Sequence, residues 1–161
     1  WEHDGAKAAL DFAPATTDPG CADSDAWVVA AAAGLVTRAD RGVVVVDLDG
    51  DGLEQTGWNI LYLHLSDLRV RSGDWVEVSD LLGHPSCEGG SSTGTHVHMA
   101  RKYNGEWIPA YGILSYNLEG WISDKGIREY EGTLTRYNHV VRANVNSDSA
   151  SHIQSQVVGL E

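Results

Sequence analysis

Short runs of β-branched residues, each followed by a glycine-containing turn, constrain the fold of this chain more than any other sequence feature. The clearest run is Val43–Val46, four consecutive valines that follow the turn ending at Gly42. Valine loses side-chain freedom in a helix and packs well on a pleated sheet. Ala26–Val36 is rich in alanine, a good helix former, but its place just before this turn favours another strand. No segment carries a convincing helical stripe, so we expect an all-β fold with a mostly antiparallel sheet or sandwich core, long loops and few or no helices.

Apolar residues alternate along Trp58–Leu65, which predicts a further strand. Alternate side chains of a strand point to opposite faces of the sheet. This prediction places His64 on the same face as Ile60 and Tyr62, in an otherwise apolar stretch.

Thr95–Lys102 is the strand with the most informative pattern. His96 and His98 form an H-x-H pair, and residues two apart on a strand project to the same side. Such pairs commonly build metal sites. Asp11 lies within the apolar run ALDFAP, where an unpaired carboxylate is costly unless it meets a metal or a cation, and His3 lies close upstream.

These residues match the donor set of a catalytic zinc site, which uses three protein ligands and leaves the fourth position to water. His3, Asp11 and one histidine of the pair supply three ligands. The residues alone do not say which of His96 and His98 is the ligand. The remaining histidines of the group would then serve water activation and transition-state stabilisation.

Size and charge exclude several classes of function. The chain has 161 residues, enough for one domain and too few for two ordinary ones. Its formal net charge of -12 argues against an electrostatic grip on nucleic acid or anionic lipid. No apolar run approaches the roughly 20 residues that cross a bilayer, so we expect no membrane insertion. Separately, we expect the protein to be a monomer. The sequence starts at Trp1 without a methionine or a leader-like segment, from which we expect that a leader or another upstream segment has been removed.

Cys21 and Cys87 both lie in loop-like contexts, DPGCADSD and GHPSCEGG. This placement favours a disulfide between them over two unrelated thiols. A structural disulfide in turn favours an oxidising compartment, so we expect the protein to be secreted or in the cell envelope.

Several motifs together resemble the M23 zinc metallopeptidases, the lysostaphin/LytM-type peptidoglycan endopeptidases. In chain order they are HLS at His64–Ser66, V-x-x-G-D-x-V at Val70–Val76, LLG at Leu81–Gly83 and STGTHVH at Ser92–His98. The resemblance covers about Trp1–Trp107. It implies an all-β peptidase domain with a substrate groove, which we place at residues 1–120. Residues 121–161 are then a C-terminal extension, in which GTLTRYNHVVRANV can add one strand before a polar tail.

The resemblance also assigns roles to the residues. In that family the metal ligands are a histidine, an aspartate and the second histidine of H-x-H, which here are His3, Asp11 and His98. The two catalytic histidines that do not bind metal correspond to His64 and His96.

The spacing of the first two ligands departs from the common family pattern. That pattern is H-x-x-x-D, whereas seven residues separate His3 from Asp11, and Lys7 stands where the short pattern places histidine. LasA-like branches of the family have a longer insertion here, and His3 is retained as the ligand on that basis.

The implied activity is zinc-dependent hydrolysis of a peptide bond in a peptidoglycan stem peptide or cross-bridge, with one Zn²⁺ per chain. His64 or His96 would accept the proton from water. The alternatives are a degenerate M23 domain that binds or regulates at the cell wall without catalysis, and a histidine phosphocarrier of related β architecture. A phosphocarrier would use paired histidines without needing Asp11 or His3.

A second acidic motif lies outside this group. Asp47, Asp49 and Asp51 match the first half of a calcium loop, followed by Gly52, but Trp58 occupies the position of the bidentate glutamate. A complete EF-hand loop is therefore excluded. A plain acidic hairpin loop is favoured over a partial Ca²⁺ site.

Overall fold

The computed structural model describes residues 8–15, 18–128, 131–143, 151 and 153, which form fourteen β-strands and no helix. In chain order the strands are β1 (Ala9–Phe12), β2 (Val28–Val29), β3 (Gly34–Asp40), β4 (Val43–Asp47), β5 (Trp58–Leu63), β6 (Leu65–Ser66), β7 (Trp75–Val76), β8 (Leu81–Pro85), β9 (Val97–Tyr103), β10 (Glu106–Trp107), β11 (Asn117–Leu118), β12 (Trp121–Lys125), β13 (Gly132–Arg136) and β14 (His139–Arg142). All paired strands are antiparallel. The all-β prediction is confirmed. In the described part of the chain, no helix has the length and hydropathy that a membrane span requires.

The chain divides into two compact units, Trp1–Pro109 and Ala110–Glu161. The first unit contains a seven-stranded sheet in the order β1-β9-β5-β4-β3-β7, in which β10 also pairs with β9. It also contains a three-stranded sheet in the order β2-β8-β6. The second unit contains a four-stranded sheet in the order β11-β12-β13-β14.

An apolar row crosses the large sheet and fixes the register of its central strands. Val45 lies opposite Leu61, and Leu61 lies opposite Ala100. All three are buried, together with Ala8 and Leu63, in one cluster on this face of the sheet. A slip of one residue would turn this row to the opposite face, so its burial specifies the register.

The alanine-rich run before the first turn forms two strands instead of the single strand that we expected. The chain leaves the strand conformation between β2 and β3, where the backbone N–H of Ala31 donates a hydrogen bond of 2.9 Å to the Tyr62 hydroxyl. Burial raises the pKa of Tyr62 to about 12, so this hydroxyl stays neutral. A long-range bond to β5 therefore takes the place of a strand partner at this point.

The turn between β3 and β4 packs closely against a distant loop. Arg41 and Gly42 both have positive φ, 47° and 76°, as a two-residue type I′ hairpin requires. A Cβ atom added to Gly42 would lie 2.8 Å from the carbonyl carbon of Glu88. Position 42 therefore needs glycine for two reasons, its positive φ and the close approach of the segment at Glu88.

We expect Gly42→Ala to destabilise the protein more than Gly73→Ala does. Both glycines have positive φ, but a Cβ at Gly73 would meet no atom of the described residues within 4 Å. The backbone strain of about 1–2 kcal/mol is then common to both variants. Overpacking adds about 1–3 kcal/mol to the loss only at Gly42. Urea denaturation of the two variants measures the difference, and equal losses would contradict the close packing of Gly42.

Candidate active site

Asp11 and His98 meet because of the register of β1 on β9. The two residues are directly opposite each other, and opposed residues project to the same face of a sheet. Asp11 Oδ1 lies 2.8 Å from His98 Nδ1. Both side chains are partly accessible, with exposed fractions of 36 % for Asp11 and 17 % for His98. The carboxylate predicted from the run ALDFAP thus lies beside the second histidine of the H-x-H pair.

His96 is held just before β9 by hydrogen bonds to a backbone loop. Its Nδ1 lies 2.8 Å from the carbonyl oxygen of Gly94 and 3.4 Å from Ser92 Oγ. A carbonyl oxygen only accepts, so Nδ1 carries the proton, and in the neutral ring Nε2 keeps its lone pair. This Nε2 lies 3.9 Å from Asp11 Oδ1. His96 and His98 therefore approach Asp11 from the same side, as the alternation along the strand predicts.

His64 reaches the same group of side chains by a break in its strand. We expected a continuous strand to Leu65 with His64 on the face of Ile60 and Tyr62, and this is wrong. β5 ends at Leu63, and His64 has a φ of 66°, in the left-handed region. The regular alternation of faces stops at such a residue.

The imidazole of His64 lies among the other histidines and is buried. Its ring centroid is 4.6 Å from that of His96 and 6.4 Å from that of His98. Its Nδ1 donates to the carbonyl oxygen of Glu88 at 2.8 Å, which leaves Nε2 as the unprotonated nitrogen of the neutral ring. Burial lowers the pKa of His64, and repulsion from the charged forms of His96 and His98 lowers it further, against the raising effects of the Glu88 carbonyl and the Asp11 carboxylate.

The disulfide predicted between Cys21 and Cys87 is present and pins the loops that carry these carbonyl groups. Cys87 directly precedes Glu88, whose carbonyl accepts from His64. On the other side of the disulfide, Thr95 directly precedes His96 and donates from its backbone N–H to the carbonyl of Gly20 at 3.0 Å. The disulfide thus connects Cys87, next to Glu88, to Cys21, whose neighbour Gly20 is hydrogen-bonded to the segment just before His96.

The atoms brought together suit a metal ion. Ligand atoms of Asp11, His96 and His98 lie within 4.8 Å of one another. One carboxylate with imidazole nitrogens is a donor set that zinc favours. His3, the first ligand of the predicted set, lies outside the described residues.

The backbone groups that orient His64 and His96 were missed by sequence reasoning. The carbonyl oxygens of Glu88 and Gly94 accept the hydrogen bonds that orient the two rings. Because every residue type carries a backbone carbonyl, the residue type gives no signal for this role. The only signal in the sequence is indirect, since Cys87 stands next to Glu88. Of the remaining histidines, His84 stacks on Trp27 with ring centroids 3.8 Å apart, His139 is exposed on β14, and His152 lies outside the described residues.

Replacing both Cys21 and Cys87 by serine should lower the free energy of unfolding by about 4 kcal/mol, because the disulfide closes a loop across 66 residues of sequence separation. Urea denaturation of the oxidised protein and of the double variant would measure this loss. Treatment of both with a reductant is the control, since reduction should destabilise only the wild type. Coinciding denaturation curves for the two oxidised proteins would contradict the expectation.

Comparison with known proteins agrees with this site. The model of the family described as Peptidase family M23 matches residues 9–109. Protease LasA of Pseudomonas aeruginosa is 36% identical over 117 residues, which are 68% of this chain and 26% of that protein. The beta-lytic metalloendopeptidase of Achromobacter lyticus is 30% identical over 118 residues, which are 69% of this chain and 29% of that protein. The chain thus spans between a quarter and a third of the length of these relatives.

A solved structure of similar fold is the M23 metalloprotease pseudoalterin, from the deep sea. It superposes with a TM-score of 0.67 at 27% identity and covers 84% of this chain and 79% of its own. The family match, at residues 9–109, includes the segments that carry Asp11, His64, His96 and His98. The chain therefore belongs to peptidase family M23, and the resemblance of its motifs is confirmed.

Proposed function

We propose that this member of peptidase family M23 is a zinc-dependent endopeptidase that hydrolyses peptide bonds in the stem peptides or cross-bridges of peptidoglycan. One observation carries the proposal. Two imidazoles, those of His64 and His96, are tied back through Nδ1 to backbone carbonyls beside the contact of Asp11 with His98. The names of the relatives, a protease, a metalloendopeptidase and a metalloprotease, support a metal-dependent peptidase. The peptidoglycan substrate rests on the resemblance of the motifs to lysostaphin/LytM-type enzymes.

Asp11 and His98 would hold the metal, together with His3 as the third ligand. The 2.8 Å between Asp11 Oδ1 and His98 Nδ1 is a hydrogen-bond length, about 0.5 Å shorter than the spacing of two donors on one tetrahedral zinc ion, so a small separation of these atoms would admit the metal. A zinc ion bound there supplies Lewis-acid polarisation of the scissile carbonyl group and acidifies water to a pKa near 7. His96 Nε2, at 3.9 Å from Asp11 Oδ1, is close enough to compete for the third ligand position.

His64 and His96 would move the proton and stabilise the oxyanion. In each ring the Nδ1–H is already donated to a backbone carbonyl, so the neutral ring presents an unprotonated Nε2. An unprotonated Nε2 accepts a proton from water, and the resulting N–H then donates to a developing negative charge. The fixed Nδ1 bonds hold each ring in one orientation, which general acid–base catalysis requires.

The proposed location is outside the cytoplasm, either secreted or in the cell envelope. The disulfide between Cys21 and Cys87 persists only under oxidising conditions. Its neighbour Glu88 orients His64, so reduction would disturb the catalytic group as well as the fold.

Alanine substitutions should separate ligands from catalytic residues. Asp11→Ala and His98→Ala each remove a metal bond, so we expect loss of both zinc and activity. His64→Ala and His96→Ala should keep zinc and lower turnover by about 10²–10⁴-fold, the usual contribution of general acid–base catalysis. Zinc content by elemental analysis and peptide hydrolysis are measured on the same four proteins.

His139→Ala serves as the matched control, because His139 is exposed on β14 in the second unit and is not among the predicted site residues. It should retain both zinc and activity. If His96→Ala loses zinc while His98→Ala keeps it, the roles within the H-x-H pair are reversed. Full activity in His64→Ala would remove it from the mechanism.

Defined muropeptides test the substrate and the metal together. The zinc-loaded protein should cleave at least one stem-peptide or cross-bridge bond, lose this activity after chelation and regain it when zinc is restored. Mass spectrometry of the products identifies the bond. Cleavage of no muropeptide by zinc-loaded protein would favour the degenerate M23 domain, which binds or regulates without catalysis.

A further inference from the structure

Three carboxylates lie close together where β4 passes into the loop before β5. This loop is at the opposite end of β5 from His64. Oxygen atoms of Asp47, Asp49 and Asp51 lie within 4.8 Å of one another. Two oxygens bound to one Ca²⁺ at about 2.4 Å are at most about 5 Å apart, so one ion can reach all three. An acidic cluster alone is common on protein surfaces, and the residues around it decide what it does.

Asp47 is the first residue that sets this cluster apart, because its side chain is completely buried. It accepts hydrogen bonds from the backbone N–H groups of Asp49 and Gly52, at 3.2 and 2.8 Å. No cationic side chain in the described part of the chain pairs with it. The nearby Arg38 is engaged by Glu54 at 3.2 Å. A buried carboxylate without a positive partner is costly.

Asn59 supplies an observation that does not depend on the carboxylates. It is 1 % exposed and lies directly opposite Asp47 in the pairing of β4 with β5, so both side chains project to the same face. Its Nδ2 donates to the carbonyl of Thr56 at 2.9 Å, whereas its Oδ1 is buried and has no hydrogen-bond partner among the residues that the structure describes. A buried acceptor without a donor, beside a buried carboxylate that pairs with no cationic side chain of the described residues, is suited to binding a cation.

We propose that Asp47, Asp49, Asp51 and Asn59 bind one Ca²⁺ through side-chain oxygens. The sequence pattern favoured a plain acidic loop, and the buried amide oxygen of Asn59 is what reverses this preference. Carboxylate and amide oxygens are the ligands of hard cations, and with no nitrogen or sulfur among them the set does not suit zinc. Four protein oxygens leave the remaining two to four positions of a calcium ion to water or backbone carbonyls.

The electrostatics of the loop agree with this geometry. The pKa of Asp49 is raised, first by the hydrogen bond of its carboxyl group with Asp47, then by partial desolvation and by the charges of Asp47 and Asp51. A divalent ion relieves this repulsion between carboxylates. The oxygens accept backbone hydrogen bonds through one lone pair and retain a second for a metal. With few ligands we expect a Kd of about 10⁻⁴–10⁻³ M, the range of extracellular calcium modules.

Tb³⁺, which replaces Ca²⁺ and luminesces when a nearby tryptophan is excited, is the first probe. Trp75 packs on this loop, since a Cβ added to Gly50 would lie 3.2 Å from its ring. The zinc-loaded full chain is titrated with Tb³⁺, so that the centre at Asp11 is already filled. We expect saturable tryptophan-sensitised emission that Ca²⁺ displaces. Emission that Ca²⁺ does not displace would overturn the proposal.

Asp49→Asn is the test variant, because Asp49 is exposed and the substitution keeps its shape. It should weaken Ca²⁺ binding at least tenfold. Asp74→Asn is the matched control, since Asp74 is an exposed turn carboxylate that accepts from the backbone N–H of Arg71 and has no acidic neighbour in its turn. This control should bind Ca²⁺ as the wild type does.

Thermal unfolding gives a second measurement that does not use a lanthanide. Millimolar Ca²⁺ should raise the Tm of the wild type and of Asp74→Asn, by the stabilisation that any native-state ligand confers, and should raise the Tm of Asp49→Asn clearly less, because its affinity for Ca²⁺ is at least tenfold lower. Equal shifts in all three proteins, or no shift in the wild type, would overturn the proposal. The absence of a shift in the wild type would mean that an ordered water, and not Ca²⁺, is the partner of Asn59 Oδ1. The zinc content of Asp49→Asn should equal that of the wild type, which separates this site from the proposed catalytic centre.

Discussion

The position of β9 between β1 and β5 is the constraint on which the candidate site depends. His98 has Asp11 opposite it on one side and Leu63 opposite it on the other. A slip of one residue on either side would send Asp11 or His98 to the wrong face. The register is fixed two residues away, where Ala100 is buried against Leu61. The packing of an apolar row thus decides whether a carboxylate and an imidazole meet.

Local patterns predicted the part of the site that strands build. The faces of His96 and His98 follow from a period of two, which is a property of each strand by itself. The position of His64 does not follow from any local pattern. Its positive φ is unusual for a histidine and is held by contacts from elsewhere, including the bond of the next residue, Leu65, to the carbonyl of Gly42 at 3.0 Å. The motif HLS identified the residue, but the strand alternation predicted the wrong face.

The second unit shows a different reason why sequence reasoning falls short. The sequence suggests one added strand near its end, whereas four strands form a sheet between Asn117 and Arg142. Along β13 all residues are half-buried, so no alternation of buried and exposed residues marks the strand. A polar group takes part in the packing, because the buried Ser123 hydroxyl donates to the carbonyl of Ala110 and accepts from the N–H of Tyr116 at 2.8 Å. Hydrophobic patterns carry no information about such a contact.

The two kinds of support within the site have different physical consequences. Asp11 and His98 are held by strands of the large sheet, whereas His64 and His96 are oriented by carbonyl groups of the loop between β8 and β9. Loops open at lower free energy than the strands of a core. A disturbance of this loop would therefore affect the proposed proton transfer before it affects the proposed metal ligands. The disulfide at Cys87 lies in the loop, one residue from the carbonyl that holds His64, where a covalent crosslink most limits that disturbance.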